Sequence, residues 1–308
     1  MICSTAQSGI PSFLHSVRSA FAAAFLCLIT FTTNGYAQSR AADLYEATES
    51  LTVQVTDMYS KEATGTVVVT SYKPIGSGPF PILILNHGRS GTDRSQPARF
   101  RYTQQARFFV KLGFAVFVPT RIGYGAQGIE TDPEYSGDCN KKNYAPMAEA
   151  ASKQVLAALA FAKQQSHTDP KRVVVVGQSV GGYTAIATAA KNPDGLIAAI
   201  NFAGGSGGNP QTRPGEPCEG YKLEKIFAEF GAKSKAPTLW IYTENDQYFA
   251  PKYSQAWHQA FVKSGGLAEF NLLPAFAADG HTLFTAGMPL WEPIVGKFLQ
   301  AYGFAASN

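Results

Sequence analysis

What this chain has little of narrows its function before any motif is read. Charged residues are only 16% of 308, and the formal net charge is +4. Lys and Arg are scattered, which excludes the basic patch or stripe that nucleic-acid binding needs. There are four cysteines, and no histidine stands at zinc-ligand spacing from Cys139 or Cys218, so a thiolate–imidazole metal centre is excluded there. The apolar stretch near the N-terminus, "AFAAAFLCLITF", is too short to span a bilayer comfortably. "HGRSG" at 87–91 lacks the G-K-[ST] ending of a phosphate-binding loop. No repeat, low-complexity tract or hydrophobic gap divides the chain.

What is there begins with a segment unlike the rest. "MICSTAQSGIPSFLHSVRS" carries His15 and Arg18 and no acid, the apolar stretch follows, and "TTNGYAQS" places Gly35 and Ala37 at the small-residue positions of a signal-peptidase site. This pattern predicts a secretory signal peptide over residues 1–37, a single domain over 38–308, and an exported protein, periplasmic or extracellular, with no membrane anchor after cleavage. Cys3 and Cys27 leave with the signal. Cys139 and Cys218 remain, each in a polar segment containing glycine, and an even pair in an oxidising compartment predicts one disulfide between two loops.

The mature chain alternates strands and helices. "LTVQVTDMY" and "GTVVVTSYKP" read as an antiparallel pair, after a short lead-in at "RAADLYEATES". Strands are expected at "FPILILNHG", "GFAVFVPT", "RVVVVGQ", "LIAAINFAG", "APTLWIYTEND" and "LAEFNLLPA". Helices are expected at 97–111, 147–165, 180–191, 222–231, 253–263 and 290–301. Several strands are apolar on both faces. The predicted fold class is therefore α/β, a mostly parallel sheet with helices on both sides.

In such sheets ligands gather at the carboxyl ends of the strands. There "RVVVVGQSVGG" ends a buried strand on Ser179, with Gly177 and Gly181 two residues to either side. A sharp strand-to-helix turn presses backbone on backbone at those two glycines and leaves the serine oxygen exposed. The helix N-terminus that follows supplies free N–H groups and partial positive charge for an oxyanion. A serine needs a base. Of His87, His167, His258 and His281, only His281, in "AADGHTLF", combines a late position with a loop after the last strand. The acid that orients it falls in "TENDQYFAP", where Asp246 is preferred over Glu244 because it lies beyond the strand end; Asp279 reads as a turn former. Val180, after the nucleophile, and Arg89, in "LNHGRSG", supply the oxyanion N–H groups. His87 orders that loop by hydrogen bonds.

These pieces carry a resemblance. "LILNHGRSG", "GFAVFVPTRIGYG", "VVVVGQSVGGYTA", "TLWIYTENDQYFAP" and "DGHTLF", across residues 51–302, resemble the α/β-hydrolases, and most the dienelactone-hydrolase-like branch. The resemblance implies a triad of Ser179, Asp246 and His281, with Arg89 and Val180 as oxyanion donors. It also implies hydrolysis of small esters without metal or organic cofactor. One departure matters: dienelactone hydrolases proper use a cysteine nucleophile, so the lactone substrate does not transfer.

The glycine- and proline-rich loop 204–220 is expected to wall the pocket, tied by Cys139–Cys218 to the loop after "PTRIGYG", with no large lid. Tyr124, Tyr248 and Phe249 are candidate lining residues, and Arg121 either binds a substrate carboxylate or braces its loop. The leading function is a serine esterase acting on a small-molecule ester. A peptidase or amidase with the same triad, and a hydrolase-fold protein that binds ligand without turnover, are the alternatives.

Overall fold

The computed structural model describes residues 44–90, 93–126 and 130–304; the expected signal peptide lies outside them. Eight strands form one sheet: β1 (Tyr45–Thr56), β2 (Glu62–Lys73), β3 (Phe80–Asn86), β4 (Ala115–Thr120), β5 (Thr168–Gln178), β6 (Leu196–Phe202), β7 (Thr238–Thr243) and β8 (Ala268–Leu273). Their order across the sheet is β1-β2-β4-β3-β5-β6-β7-β8. β1 pairs antiparallel with β2, and β2 with β4, while every other neighbouring pair is parallel.

The helices are α1 (Thr103–Lys111), α2 (Tyr144–Lys163), α3 (Val180–Ala189), α4 (Gly220–Lys233), α5 (Pro251–Lys263), α6 (Leu283–Ala286) and α7 (Met288–Ala301), with a 3₁₀ turn at Gly280–Thr282. They cover both faces because the central strands are apolar on both. Leu83, Leu85, Val174 and Val176 pack with Phe109 of α1 and with Trp291 and Phe298 of α7. The alternate residues Ile82, Ile84, Val173 and Val175 pack with Val155, Ala158 and Leu159 of α2. A third cluster joins Tyr183 of α3, Phe227 of α4 and Trp257 of α5 to Trp240 on β7.

The chain leaves β3 toward β4 on one side and leaves β5 toward β6 on the other. The β3–β5 junction is thus the switch point of the parallel sheet, where a crevice opens at the carboxyl ends. Register places Asn86 beside Gly177 there, so the loop after β3 and the turn after β5 emerge together.

Three expectations shift. β1 begins at Tyr45, not Leu51, because an edge strand pairs through its backbone and its outer side chains need not alternate; Tyr45 is held opposite Lys73. The helix expected from 97 begins only at Thr103. Residues before it give their backbone groups to tertiary partners: Phe100 N–H donates to Thr120 Oγ1 and its carbonyl accepts from Thr70 Oγ1, while Tyr102 turns left-handed at φ 45°. The loop after β8 contains the 3₁₀ turn and α6, too short to show a period.

Candidate active site

Ser179 links β5 to α3 in a conformation that L-residues seldom adopt, φ 58° and ψ −126°. Backbone packing enforces it. A Cβ on Gly177 would lie 2.0 Å from the Gly181 carbonyl oxygen, and one on Gly181 would lie 2.3 Å from that of Asn86. Both contacts are impossible, so glycine is required at each position. The turn is tied down by the Ser179 N–H, which donates to the Phe202 carbonyl at 2.9 Å. Gly88 passes so near that a Cβ there would meet Ser179 Cβ at 3.1 Å.

His281 sits in the 3₁₀ turn, 7% exposed. Its Nδ1 lies 3.0 Å from Asp246 Oδ2 and 3.1 Å from Oδ1. Asp246 also accepts from the N–H groups of Tyr248 (2.8 Å) and Phe249 (2.9 Å), and these donors fix its carboxylate after β7. Asp279 caps the 3₁₀ turn, accepting at 2.9 Å from the His281 N–H and at 3.0 Å from that of Gln247. It acts as the turn former expected. Glu244 is exposed at the strand end, and the imidazole hydrogen-bonds Asp246 instead. The Tyr248 ring stacks on the imidazole, centroids 4.1 Å apart. No hydrogen bond joins Ser179 Oγ to His281 among the described residues, but both side chains line one cavity of about 250 Å³ with Gly88, Phe100, Tyr102, Gln178 and Tyr248.

Beneath the loop after β3 lies a buried polar frame. The Arg121 N–H donates to His87 Nε2 at 3.1 Å, so Nδ1 carries the proton and donates to the Gly88 carbonyl at 2.6 Å. Burial, and then the nearby Arg121 charge, hold the His87 pKa well below its ordinary value, and the ring stays neutral. It stacks on Phe100 at 3.8 Å. His87 thus orders its loop, as expected. Arg121 braces: its guanidinium is fully buried and pairs with Glu134 at 2.6 Å. It is held by that carboxylate and lines neither cavity at Ser179. Tyr124 is a correction. It is 2% exposed, donates to Glu134 at 3.1 Å, and lines neither cavity at Ser179, because the Arg121–Glu134 pair needed a buried hydroxyl more than the pocket needed a ring.

A second cavity of about 340 Å³ opens on the other side of Ser179. Val180, Arg89, Tyr248 and Phe249 line it with Ser179, so the two residues expected as oxyanion donors and two of the three expected aromatics share a cavity with the serine. Val180 opens α3, and helix geometry leaves its N–H without an intrahelical partner. The Arg89 side chain is clamped by Asp132, at 2.9 and 2.5 Å, which steadies the backbone that carries its N–H. The disulfide Cys139–Cys218 is formed, with Cα atoms 4.9 Å apart. Both cysteines line this cavity, so the bond joins its two walls, Tyr135–Lys142 and Ser206–Cys218.

Sequence reasoning missed Asp132, Tyr102 and Lys142. Asp132 and Tyr102 have no motif neighbour, and only the left-handed backbone of Tyr102 marks it. Lys142 reads as a solvated lysine before a helix. Among the described residues no cluster of three or more His, Cys, Asp or Glu is placed to hold a metal ion.

A parallel sheet with a strained serine turn at its switch point, and a histidine–aspartate pair facing it, defines an α/β-hydrolase. Residues 70–288 match the dienelactone hydrolase family, and this chain belongs to it. It is 30% identical over 178 residues to the quorum-quenching protein AidA of Acinetobacter baumannii (strain MDR-ZJ06), covering 53% of this chain and 50% of that one. The matched stretch thus spans about half the length of that relative. An esterase of Pyrococcus furiosus has the same fold at TM-score 0.55 and 16% identity, over 82% of this chain and 91% of its own. An acetyl xylan esterase from Paenibacillus sp. R4 superposes at TM-score 0.53 and 17% identity, over 84% and 89%. At these identities the two esterases speak for its fold alone.

Proposed function

We propose that this hydrolase is an exported serine esterase, with Ser179 as nucleophile, His281 as general base and Asp246 as the acid that orients it. The observation that carries the reading is the Asp246–His281 hydrogen bond, turned toward a cavity that also holds Ser179. With Nδ1 bound to carboxylate, Nε2 is left to take the serine proton. Ser179 Oγ attacks the ester carbonyl as His281 removes its proton. The Val180 and Arg89 N–H groups receive the oxyanion. His281 returns the proton to the departing alcohol, and the acyl group stays on Ser179. Water, deprotonated by the same histidine, then releases the acid.

Serine suits esters. An ester's alkoxide leaves far more readily than the nitrogen anion of an unprotonated amide, and the open carboxyl edge has no peptide-docking domain among the described residues. Export is supported by the signal-like segment and by the disulfide, which oxidising compartments favour. A fluorophosphonate probe tests the centre. Labelling of the wild type that disappears in Ser179→Ala, together with loss of ester hydrolysis, is the expected result. A folded wild-type protein that resists the probe refutes it.

A further inference from the structure

The nucleophile stands between two cavities of different character. His281 lines only the smaller one, together with the rings of Phe100 and Tyr102 and the side chains of Gln96 and Gln178, while Tyr248 and Arg89 border both. Tyr102 is held there at φ 45°, a backbone conformation that persists for a bulky residue only where the surroundings impose it. Its hydroxyl lies 3.4 Å from Gln178 Oε1, whose amide nitrogen donates to the His281 carbonyl at 3.0 Å, so ring and base are tied to one side chain. Burial pushes the Tyr102 pKa up to about 12, so the phenol keeps its proton.

The larger cavity carries the oxyanion residue Val180 and the disulfide, and its wall holds Ser136, Asp138, Lys142 and Asn209. Lys142 is half-buried. Its ammonium donates to the Gly137 carbonyl and weakly to Ser136 Oγ at 3.4 Å, and no carboxylate of the described residues pairs with it. Asp138 lines the same wall but accepts from Tyr135 at 2.7 Å, and the remaining cation, Arg89, is satisfied by Asp132. Lys142 thus keeps a third N–H for a ligand.

The reaction fixes which cavity takes which end of the ester. The histidine must reach the leaving oxygen to protonate it, so the alcohol departs on the His281 side, and the acyl chain extends away from it. We propose, on the esterase reading above, that this enzyme hydrolyses esters of aromatic alcohols with short acids that end in an oxygen acceptor: the ring lies among Phe100, Tyr102 and Tyr248, and the acceptor meets Lys142.

The test is a matrix of four ester types on the mature protein. Benzyl and cyclohexylmethyl alcohols have similar size and similar leaving ability but differ in aromaticity. Each is esterified to hexanoic acid or to one end of adipic acid, and the free end of the adipate is left as carboxylate or capped as methyl ester. Benzyl esters are expected to exceed cyclohexylmethyl esters in kcat/KM by about threefold to tenfold, the effect of ring stacking. Tyr102→Leu, with Phe100→Leu as a second variant, is expected to erase that ratio for every acid. Lys142→Met is expected to raise KM about tenfold for the acceptor-bearing acids and leave the hexanoates unchanged. The carboxylate arm against the methyl-ester arm reads whether charge or only an acceptor is recognised; either preference over hexanoate supports the site. Equal rates for all acids, or a Lys142→Met effect on the benzyl ratio rather than on the acid, overturns it. Fluorophosphonate labelling of Ser179 in each variant keeps this outcome separate from failure of the esterase reading itself: labelling with no compartment preference sinks the subsites alone.

Discussion

Ser179 and His281 face one cavity, yet they are held in different ways. The serine turn is fixed by backbone against backbone, with Gly177 and Gly181 in contacts no side chain could enter. The imidazole is fixed by hydrogen bonds that its ring donates to Asp246 and its backbone N–H donates to Asp279. Steric fixing tolerates no enlargement but does not depend on charge. Hydrogen-bond fixing tolerates changes of shape around it but depends on each polar partner. The two halves should therefore fail differently when altered.

The largest effect is expected on the hydrogen-bonded half. Asp246→Asn should lower kcat by about three to four orders of magnitude, since the imidazole loses both its tautomer control and its counter-charge. Its melting temperature should change little, because Asn can still accept from the Tyr248 and Phe249 N–H groups. Glu244→Gln, at the exposed neighbour, should leave kcat within twofold, about the scatter of a surface change. Equal losses in both would break the assignment of the acid.

Gly181→Ala tests the steric half. A methyl 2.3 Å from the Asn86 carbonyl oxygen must force β3 and β5 apart, and we expect about 3–5 kcal/mol of destabilisation in urea unfolding. An alanine variant of native stability would show that the turn is held by something other than packing.

The disulfide joins walls that belong to neither half. Reverting both cysteines, Cys139→Ser with Cys218→Ser, should cost about 2–4 kcal/mol of stability. It should also broaden the range of acids accepted, because the Ser206–Cys218 wall is no longer pinned. Fluorophosphonate labelling should persist. Loss of labelling would mean that the wall positions the nucleophile as well.

The smallest effect concerns pH. The buried His87 has a folded-state pKa well below 6.5. Above that ordinary value both folded and unfolded chains hold a neutral ring. As pH falls below it the unfolded chain takes up the proton first, so stability falls with pH until the folded form is protonated too. The slope from this group is at most about 1.4 kcal/mol per pH unit. His87→Gln should flatten the acid side of the stability curve by that amount, measured as urea midpoints from about pH 7 to about pH 5. An unchanged slope would show that His87 is charged or exposed in solution.

Much of this was legible without coordinates, and the reason lies in period and spacing. Valines 173–176 between polar ends read as a strand covered on both faces, and two glycines bracketing a serine at its end read as a turn too tight for Cβ. Asp246 was legible because a strand end is visible and the residues past it are few. Tyr124 was misplaced because an aromatic near a glycine-rich turn looks alike whether it faces a pocket or closes over a buried ion pair. Asp132 and Lys142 left no signal, since surface charges outside any period carry none. The sequence by itself determined the order of strands and helices, the glycine-bracketed serine turn and the pairing of the two cysteines, because local sterics, periodicity and counting act over short or closed sets of residues. Only the tertiary structure decided which carboxylate meets which cation, that Tyr102 turns left-handed to wall one cavity, and that Ser179 stands between two of them. Those contacts join residues far apart in the chain, such as Arg89 with Asp132 and Cys139 with Cys218, and their geometry follows from where the sheet sets down each loop.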